Sequence, residues 1–228
     1  SGAVVGATPL AVCGPDGGPH SAYGQASSWL GDTWTWRDSW QRLDDSGGPA
    51  PRSSHVAVYD SARQRIVLFG GRDRTGVFAD TWAFDGSTWT ELSPTTSPSG
   101  RHTMQACYDT TRDRVIVKGG WTMLQSGLTQ ELWEFDGTTW TLRNEGANAP
   151  TFGRLVYDAA RAEALYLQPS AMFAWDGSTW STRSVAGLPT PCRAQPVYDE
   201  ANQRVLVLNP LLGVNNGPAD DGLYEYRG

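Results

Sequence analysis

Four stretches of this chain superimpose on one another: HVAVYDSARQRIVLFGG at 55–71, MQACYDTTRDRVIVKGG at 104–120, GRLVYDAARAEALYLQP at 153–169 and AQPVYDEANQRVLVLNP at 194–210. Their tyrosines, Tyr59, Tyr108, Tyr157 and Tyr198, stand 49, 49 and 41 residues apart. A second phrase keeps step with the first: DTWAFDGSTWTEL at 80–92, ELWEFDGTTWTLR at 131–143 and AMFAWDGSTWSTR at 171–183. Self-similarity at roughly 40–50 residues per unit, with several strands in each, is the pattern of propeller blades, which bury their apolar faces only by stacking on neighbours.

Each unit resolves into four strands. An inner strand ends at the tyrosine, and the aspartate after it (Asp60, Asp109, Asp158, Asp199) is placed to bond its own backbone and hold a turn. A β-branched run supplies the second strand. After a loop, the Asp-Gly phrase forms a hairpin of strands three and four, with Gly86, Gly137 and Gly177 at the positive-φ position that tight β connections need. The aromatics on either side, such as Trp82, Phe84 and Trp89, are spaced for cross-strand contact, each pair contributing about 0.2–1 kcal/mol.

Composition agrees with an all-β chain: 11 Trp and 26 Gly accompany only 18% charged residues in a total of 228. The net charge of −6 and the absence of any Lys/Arg cluster remove the electrostatic basis for binding nucleic acid. Apolar runs are four to six residues long, far short of the roughly 20 that a spanning helix needs, so no membrane insertion is expected. Lys118 is the only lysine. The arginines that make up the rest of the basic side chains suit paired or stacked positions.

The two ends are less regular. GDTWTWRDSWQRL at 31–43 reads as strands three and four of a first unit, and GAVVGATPLAVCG before it as a shortened first pair. The last unit stops at GLYEYRG with its third strand. A single propeller domain over 1–228 follows, with approximate units 1–45, 50–93, 99–143, 150–183 and 191–228, hence five blades. The alternative is four blades, with 32–43 closing onto 194–210. Cys13 and Cys192 fall in the first and last units, where a disulfide would pin the ends together. Cys107, inside an inner strand, reads as a small buried hydrophobe. The beginning of the chain carries no basic and apolar leader, and the protein is expected to be extracellular or periplasmic, and monomeric.

With IVLFGG, VIVKGG and the aromatic pairs Trp82/Trp89 and Trp133/Trp140 in view, the chain resembles the kelch-repeat family, of the bacterial type. The likeness is strong from 50 to 143. It loosens afterwards, where LQPS and LNPL replace the Gly-Gly doublet. The resemblance implies a kelch-like β-propeller that binds a protein, peptide, glycan or small polar ligand through its loops. The family also includes copper oxidases with a Tyr-Cys crosslink and iron-dependent lyases with acidic ligands. Neither ligand set maps onto these residues, so no cofactor and no metal are expected.

Loops on a rigid scaffold are the usual home of binding residues. The long ones here, 14–31, 70–80, 119–130 and 209–222, share one face and carry His20, Tyr23, Trp29, Arg72, Arg74, Phe78, Trp121, Met123, Asp220 and Asp221. They read either as a ligand face or as covers for the blade ends. Arg52 and Arg101, seven residues before their tyrosines, belong to the fold because they repeat. Arg154 and Arg193 sit out of that register and are candidates for a ligand. The expected ligand-binding set is Tyr23, Trp29, Arg72, Arg74, Phe78, Trp121, Arg154 and Arg193. Two functions stay open: a binding module using the loop face, or a small propeller enzyme acting at the channel mouth, for which His20, His102 and Arg154 are the catalytic candidates. A scaffold within a larger extracellular protein is a third reading.

Overall fold

The computed structural model describes residues 10–12, 31–36, 38–43, 47–123, 128–144, 153–186, 195–208 and 223–226. They form five antiparallel sheets with no helix. The first holds β1 (Leu10–Val12), β2 (Thr33–Trp36) and β3 (Trp40–Arg42). The second holds β4 (Val56–Asp60), β5 (Arg65–Phe69), β6 (Thr81–Phe84) and β7 (Trp89–Leu92). The third holds β8 (Gln105–Asp109), β9 (Arg114–Lys118), β10 (Leu132–Phe135) and β11 (Trp140–Asn144). The fourth holds β12 (Arg154–Asp158), β13 (Glu163–Leu167), β14 (Met172–Trp175) and β15 (Trp180–Arg183). The fifth holds β16 (Gln195–Asp199), β17 (Arg204–Leu208) and β18 (Leu223–Tyr226).

Strands pair in chain order within every sheet, and the leading strands β4, β8, β12 and β16 pack successively on one another, as the inner strands of a kelch-like β-propeller do. The four-blade alternative is not what forms: β2 pairs with β1 on one side and β3 on the other, and none of them joins the 195–208 hairpin. Cys13 and Cys192 lie outside the described residues. Cys107 is buried and free, and burial raises its thiol pKa well above the usual range.

The core lies between blades rather than within them. In β9, Val115 and Val117 enter the cluster shared with the second blade, while Ile116 enters the one shared with the fourth. In β13, Ala164 and Tyr166 face the third blade while Leu165 and Leu167 face the fifth. A second strand is therefore covered on both faces, which is why it is written as an unbroken apolar run.

The Tyr-Asp turns fasten blades to one another as well as reversing the chain. Asp60 accepts the backbone N–H of Arg63 at 3.2 Å, and its carboxylate also accepts the Tyr108 hydroxyl of the next blade at 2.9 Å. Tyr157 repeats the link, donating to Thr111 Oγ1 at 2.8 Å. Burial and the Asp60 bond push the Tyr108 hydroxyl up to about 12.

Candidate functional site

Each of the second and third blades has its loop between strands two and three clamped at the base. Arg52, almost fully buried, donates to both oxygens of Asp80 at 2.5 and 2.7 Å and to the Gly70 carbonyl at 3.0 Å. Trp82 donates its indole N–H to the same carboxylate at 2.7 Å. In the next blade Arg101 holds Glu131 at 2.6 Å and the Gly119 carbonyl at 3.3 Å, and Trp133 donates to Glu131 at 2.9 Å. The loop's two feet also meet directly, Gly70 N–H on the Asp80 carbonyl at 3.2 Å and Gly119 N–H on that of Glu131 at 2.9 Å. A bidentate guanidinium suits this work because it satisfies a carboxylate and a carbonyl in one plane. The repeated arginines thus belong to the scaffold, as their register predicts.

The fourth blade has none of the three partners: Pro150, Ala171 and Phe173 stand at the corresponding places. Its second and third strands join through a tight turn closed by Gln168 N–H on the Ala171 carbonyl at 2.8 Å. A turn that short has no feet to hold.

Beyond the clamp, the Gly-Gly doublets carry the chain past the end of the blade. Gly71 has φ +100° and Gly120 +104°. A Cβ on Gly71 would lie 2.9 Å from Ser53 O and His55 Cβ, and one on Gly120 would lie 2.7 Å from Met104 Cγ, so a side chain is excluded by space and by backbone conformation. This close approach lets the next residue pair with the segment leading into the inner strand. Arg72 exchanges backbone bonds with Ser53 at 2.9 Å each way, and Trp121 does so with His102 at 2.9 and 3.0 Å. Arg72 and Trp121 are therefore the same position in adjoining blades, held by backbone and exposed at the side chain.

His102 lies between them. Thr103 N–H bonds the Ser54 carbonyl at 2.8 Å and Gly71 N–H the Arg101 carbonyl at 2.9 Å, which stitches the third blade's lead-in to the second blade's loop. His102 Nδ1 is 2.8 Å from Thr103 Oγ1, and burial together with the charge of Arg72 lowers its pKa. Thr103 holds φ +59° and Ser54, its counterpart in the second blade, φ +57°, so this left-handed conformation is a repeated feature of the lead-in to the inner strand. Arg72 has no carboxylate partner among the described residues, and the neighbouring Asp73 is occupied by the N–H groups of Thr75 and Gly76 at 2.7 and 3.0 Å. The result is a local basic and aromatic surface on an acidic chain.

The other sequence-derived candidates divide three ways. His20, Tyr23, Trp29 and Arg193, with Asp220 and Asp221, lie outside the described residues. Phe78 presents its ring to the Arg52 guanidinium at 3.9 Å, so one of its faces is already engaged by the clamp. Arg74 and Met123 are exposed on the two loops. Arg154, exposed at the start of β12, stands two blades away from Arg72 and has no carboxylate partner among the described residues. Among the described residues no group of three or more His, Cys, Asp or Glu is placed to hold a metal.

One group was missed by reading the sequence for sites, and one was read differently. Lys118 is buried at the end of β9, where Phe69 and Leu167 stand in neighbouring blades, and donates to the Gln130 carbonyl at 2.7 Å. Burial brings its pKa down to about 8. Its signal was a charge ending a β-branched run. His55 reads from the sequence as a histidine hydrogen-bonded beside the strand core; its Nδ1 is instead buried without a partner among the described residues, and burial with the nearby Arg52 charge lowers its pKa to about 4.

The model of one protein family, described as the KLHDC2/KLHL20/DRC7 Kelch-repeats domain, matches residues 16–207. No curated protein matches the chain.

Proposed function

The chain belongs to the kelch-repeat family, and we propose that it is a binding module that takes a protein segment on the loop face of its second and third blades. Arg72 meets an acidic group of that segment and Trp121 an apolar side chain. The observation that carries this reading is the guanidinium of Arg72, without a carboxylate partner among the described residues, fixed by backbone at the position that Trp121 fills in the next blade. Most other described arginines are committed to carboxylates of the scaffold. Tryptophan and arginine together are the side chains that most often dominate protein interfaces, since each offers a large contact area with a polar handle. His102 and Arg74 add donors beside Arg72, and exposed Met123 adds an adaptable apolar contact beside Trp121.

An array of defined synthetic peptides tests the reading. One half pairs Glu or Asp with Leu, Met or aromatic residues, and the other half replaces each acid by its amide. The wild-type protein retains the acidic set in preference to the amide set. Arg72→Ala removes the preference, and Trp121→Ala weakens retention of both sets. Equal retention of the two sets by wild type would overturn the proposal.

A further inference from the structure

The two ring nitrogens of His102 meet different surroundings. Nδ1 lies 2.8 Å from Thr103 Oγ1, whereas Nε2 makes no hydrogen bond among the described residues. A hydroxyl donates to a bare imidazole nitrogen and accepts from a protonated one, so Thr103 serves the ring in either charge state. His102 can therefore gain or lose its proton without stranding Nδ1. The backbone fixes where the ring stands: His102 exchanges bonds with Trp121 at 2.9 and 3.0 Å, Thr103 bonds the Ser54 carbonyl at 2.8 Å, and Gly71, next to Arg72, bonds the Arg101 carbonyl at 2.9 Å. The imidazole is half-buried, while Arg72 and Trp121 on its flanks are exposed.

Charge reaches the ring from one neighbour. The segment it pairs with in its own blade, 119–130, contains no charged residue. Arg101, beside it in the chain, is held by Glu131, and Arg52, which precedes Ser53 and Ser54, is held by Asp80. In the second blade's loop Asp73 is engaged by Thr75 and Gly76, and Arg74 stands exposed at the tip. Arg72 is the group whose positive charge, added to burial, holds the His102 pKa below the ordinary histidine value. An acidic group seated on Arg72 reverses that influence, because it cancels the guanidinium charge and offers Nε2 an acceptor.

Resting on the acid-binding role of Arg72, we propose that His102 is a second contact for the acidic group and that protonation of its ring strengthens the hold, so the site takes an acidic segment more tightly as pH falls. Protonation turns Nε2–H into a charged donor, and a charge-assisted bond to a carboxylate is about twice as strong as a neutral one. Binding then takes up a proton from solvent. The acidic group raises the ring's pKa above its value in the unliganded protein. Affinity is therefore lowest above the liganded value, rises as pH falls through it, and levels off below the unliganded value. An amide in place of the acid brings no charge and leaves the ring as it was.

The peptide array of acids and amides is read at about pH 8 and about pH 5.5, a range in which side-chain carboxylates stay ionised and histidine titrates. Wild type is expected to retain the acidic set about three- to tenfold more strongly at the lower pH, with the amide set unchanged. His102→Gln is expected to hold the acidic set equally at the two values, whereas His55→Gln keeps the wild-type response. An NMR titration of the His102 ring without peptide gives a second readout: Arg72→Gln raises its pKa toward the ordinary value. An acid preference equal at the two pH values would overturn the proposal and leave the role of Arg72 standing. A pH response that survives His102→Gln, or a His102 titration indifferent to Arg72→Gln, would overturn it too. Absence of any acid preference at either pH would remove the role of Arg72 and that of His102 together.

Discussion

Trp140 donates its indole hydrogen to Thr81 of the preceding blade at 3.0 Å, and Trp180, at the same place one blade later, packs on the cluster that holds Leu132 and keeps a buried N–H with no acceptor among the described residues. The two tryptophans share a position and differ in whether that bond is made. Replacing each by phenylalanine removes the same ring volume, from a fully buried place at 140 and a half-buried one at 180, so the bond and the deeper burial act in the same direction. Trp140→Phe is expected to destabilise by about 1–2 kcal/mol more than Trp180→Phe, because the first leaves Thr81 without its donor while the second relieves an orphaned one. Urea unfolding of the two variants measures it.

Gly86 and Gly177 occupy equivalent turns with φ +102° and +100°, but their surroundings differ. A Cβ at Gly86 meets nothing within 4 Å, whereas one at Gly177 would lie 2.4 Å from Arg112 Nη1. Arg112 is tied to Asp109 at 2.6 Å and to buried Glu134 at 2.8 Å, so it moves aside only by giving up those partners. Gly86→Ala should cost about 1 kcal/mol for backbone strain alone, and Gly177→Ala distinctly more. Equal melting temperatures for the two variants would contradict the stacking.

Acid should unsettle the fold through His55. Its folded pKa of about 4 lies below the ordinary histidine value of 6.5 because burial and Arg52 oppose its charge. Between those values the unfolded chain binds a proton that the folded chain refuses, so stability falls as pH drops from about 6.5 and levels off below about 4. His55→Gln removes this dependence. The stability difference between variant and wild type should shift by about 2–3 kcal/mol across the window, read from denaturation at several pH values.

The clamp predicts a contrast among arginines. Arg101→Ala takes a buried guanidinium from the half-buried Glu131 carboxylate, which keeps the Trp133 N–H, and from the buried Gly119 carbonyl, which is expected to cost about 2–4 kcal/mol. Arg154→Ala, at an exposed position without a carboxylate partner among the described residues, should change stability by no more than about 0.5 kcal/mol. Thermal melts of both variants make the comparison.

The architecture was legible because the turns are written locally. Asp60 bonds the backbone three residues on, and Asp85 bonds Thr88 N–H three residues on at 2.8 Å, so a few adjacent letters carry the whole device. The clamp was not legible as a unit. Arg52 and Asp80 are 28 residues apart whereas Arg101 and Glu131 are 30 apart, because the loops between them differ in length, and no fixed spacing captures both. Arg72 and Trp121 were readable as loop residues. That His102 comes between them depends on backbone pairing past the glycine doublets, which side-chain patterning does not encode. Phe78 was readable as a loop aromatic, but nothing near it in sequence reveals the Arg52 guanidinium against its ring.

An arginine that grips both feet of a loop uncouples what the loop contains from what the blade must be. Residues 73–77 can lengthen, shorten or change chemistry while Gly70 and Asp80 stay where Arg52 holds them, since loop length costs little once the ends are fixed. The second and third blades are in this sense sockets with exchangeable contents, and the fourth, reduced to the turn at 168–171, is a sealed rim. New specificities should be raised by transplanting loops between the two sockets, and grafts onto the rim should fail for want of anything to anchor them.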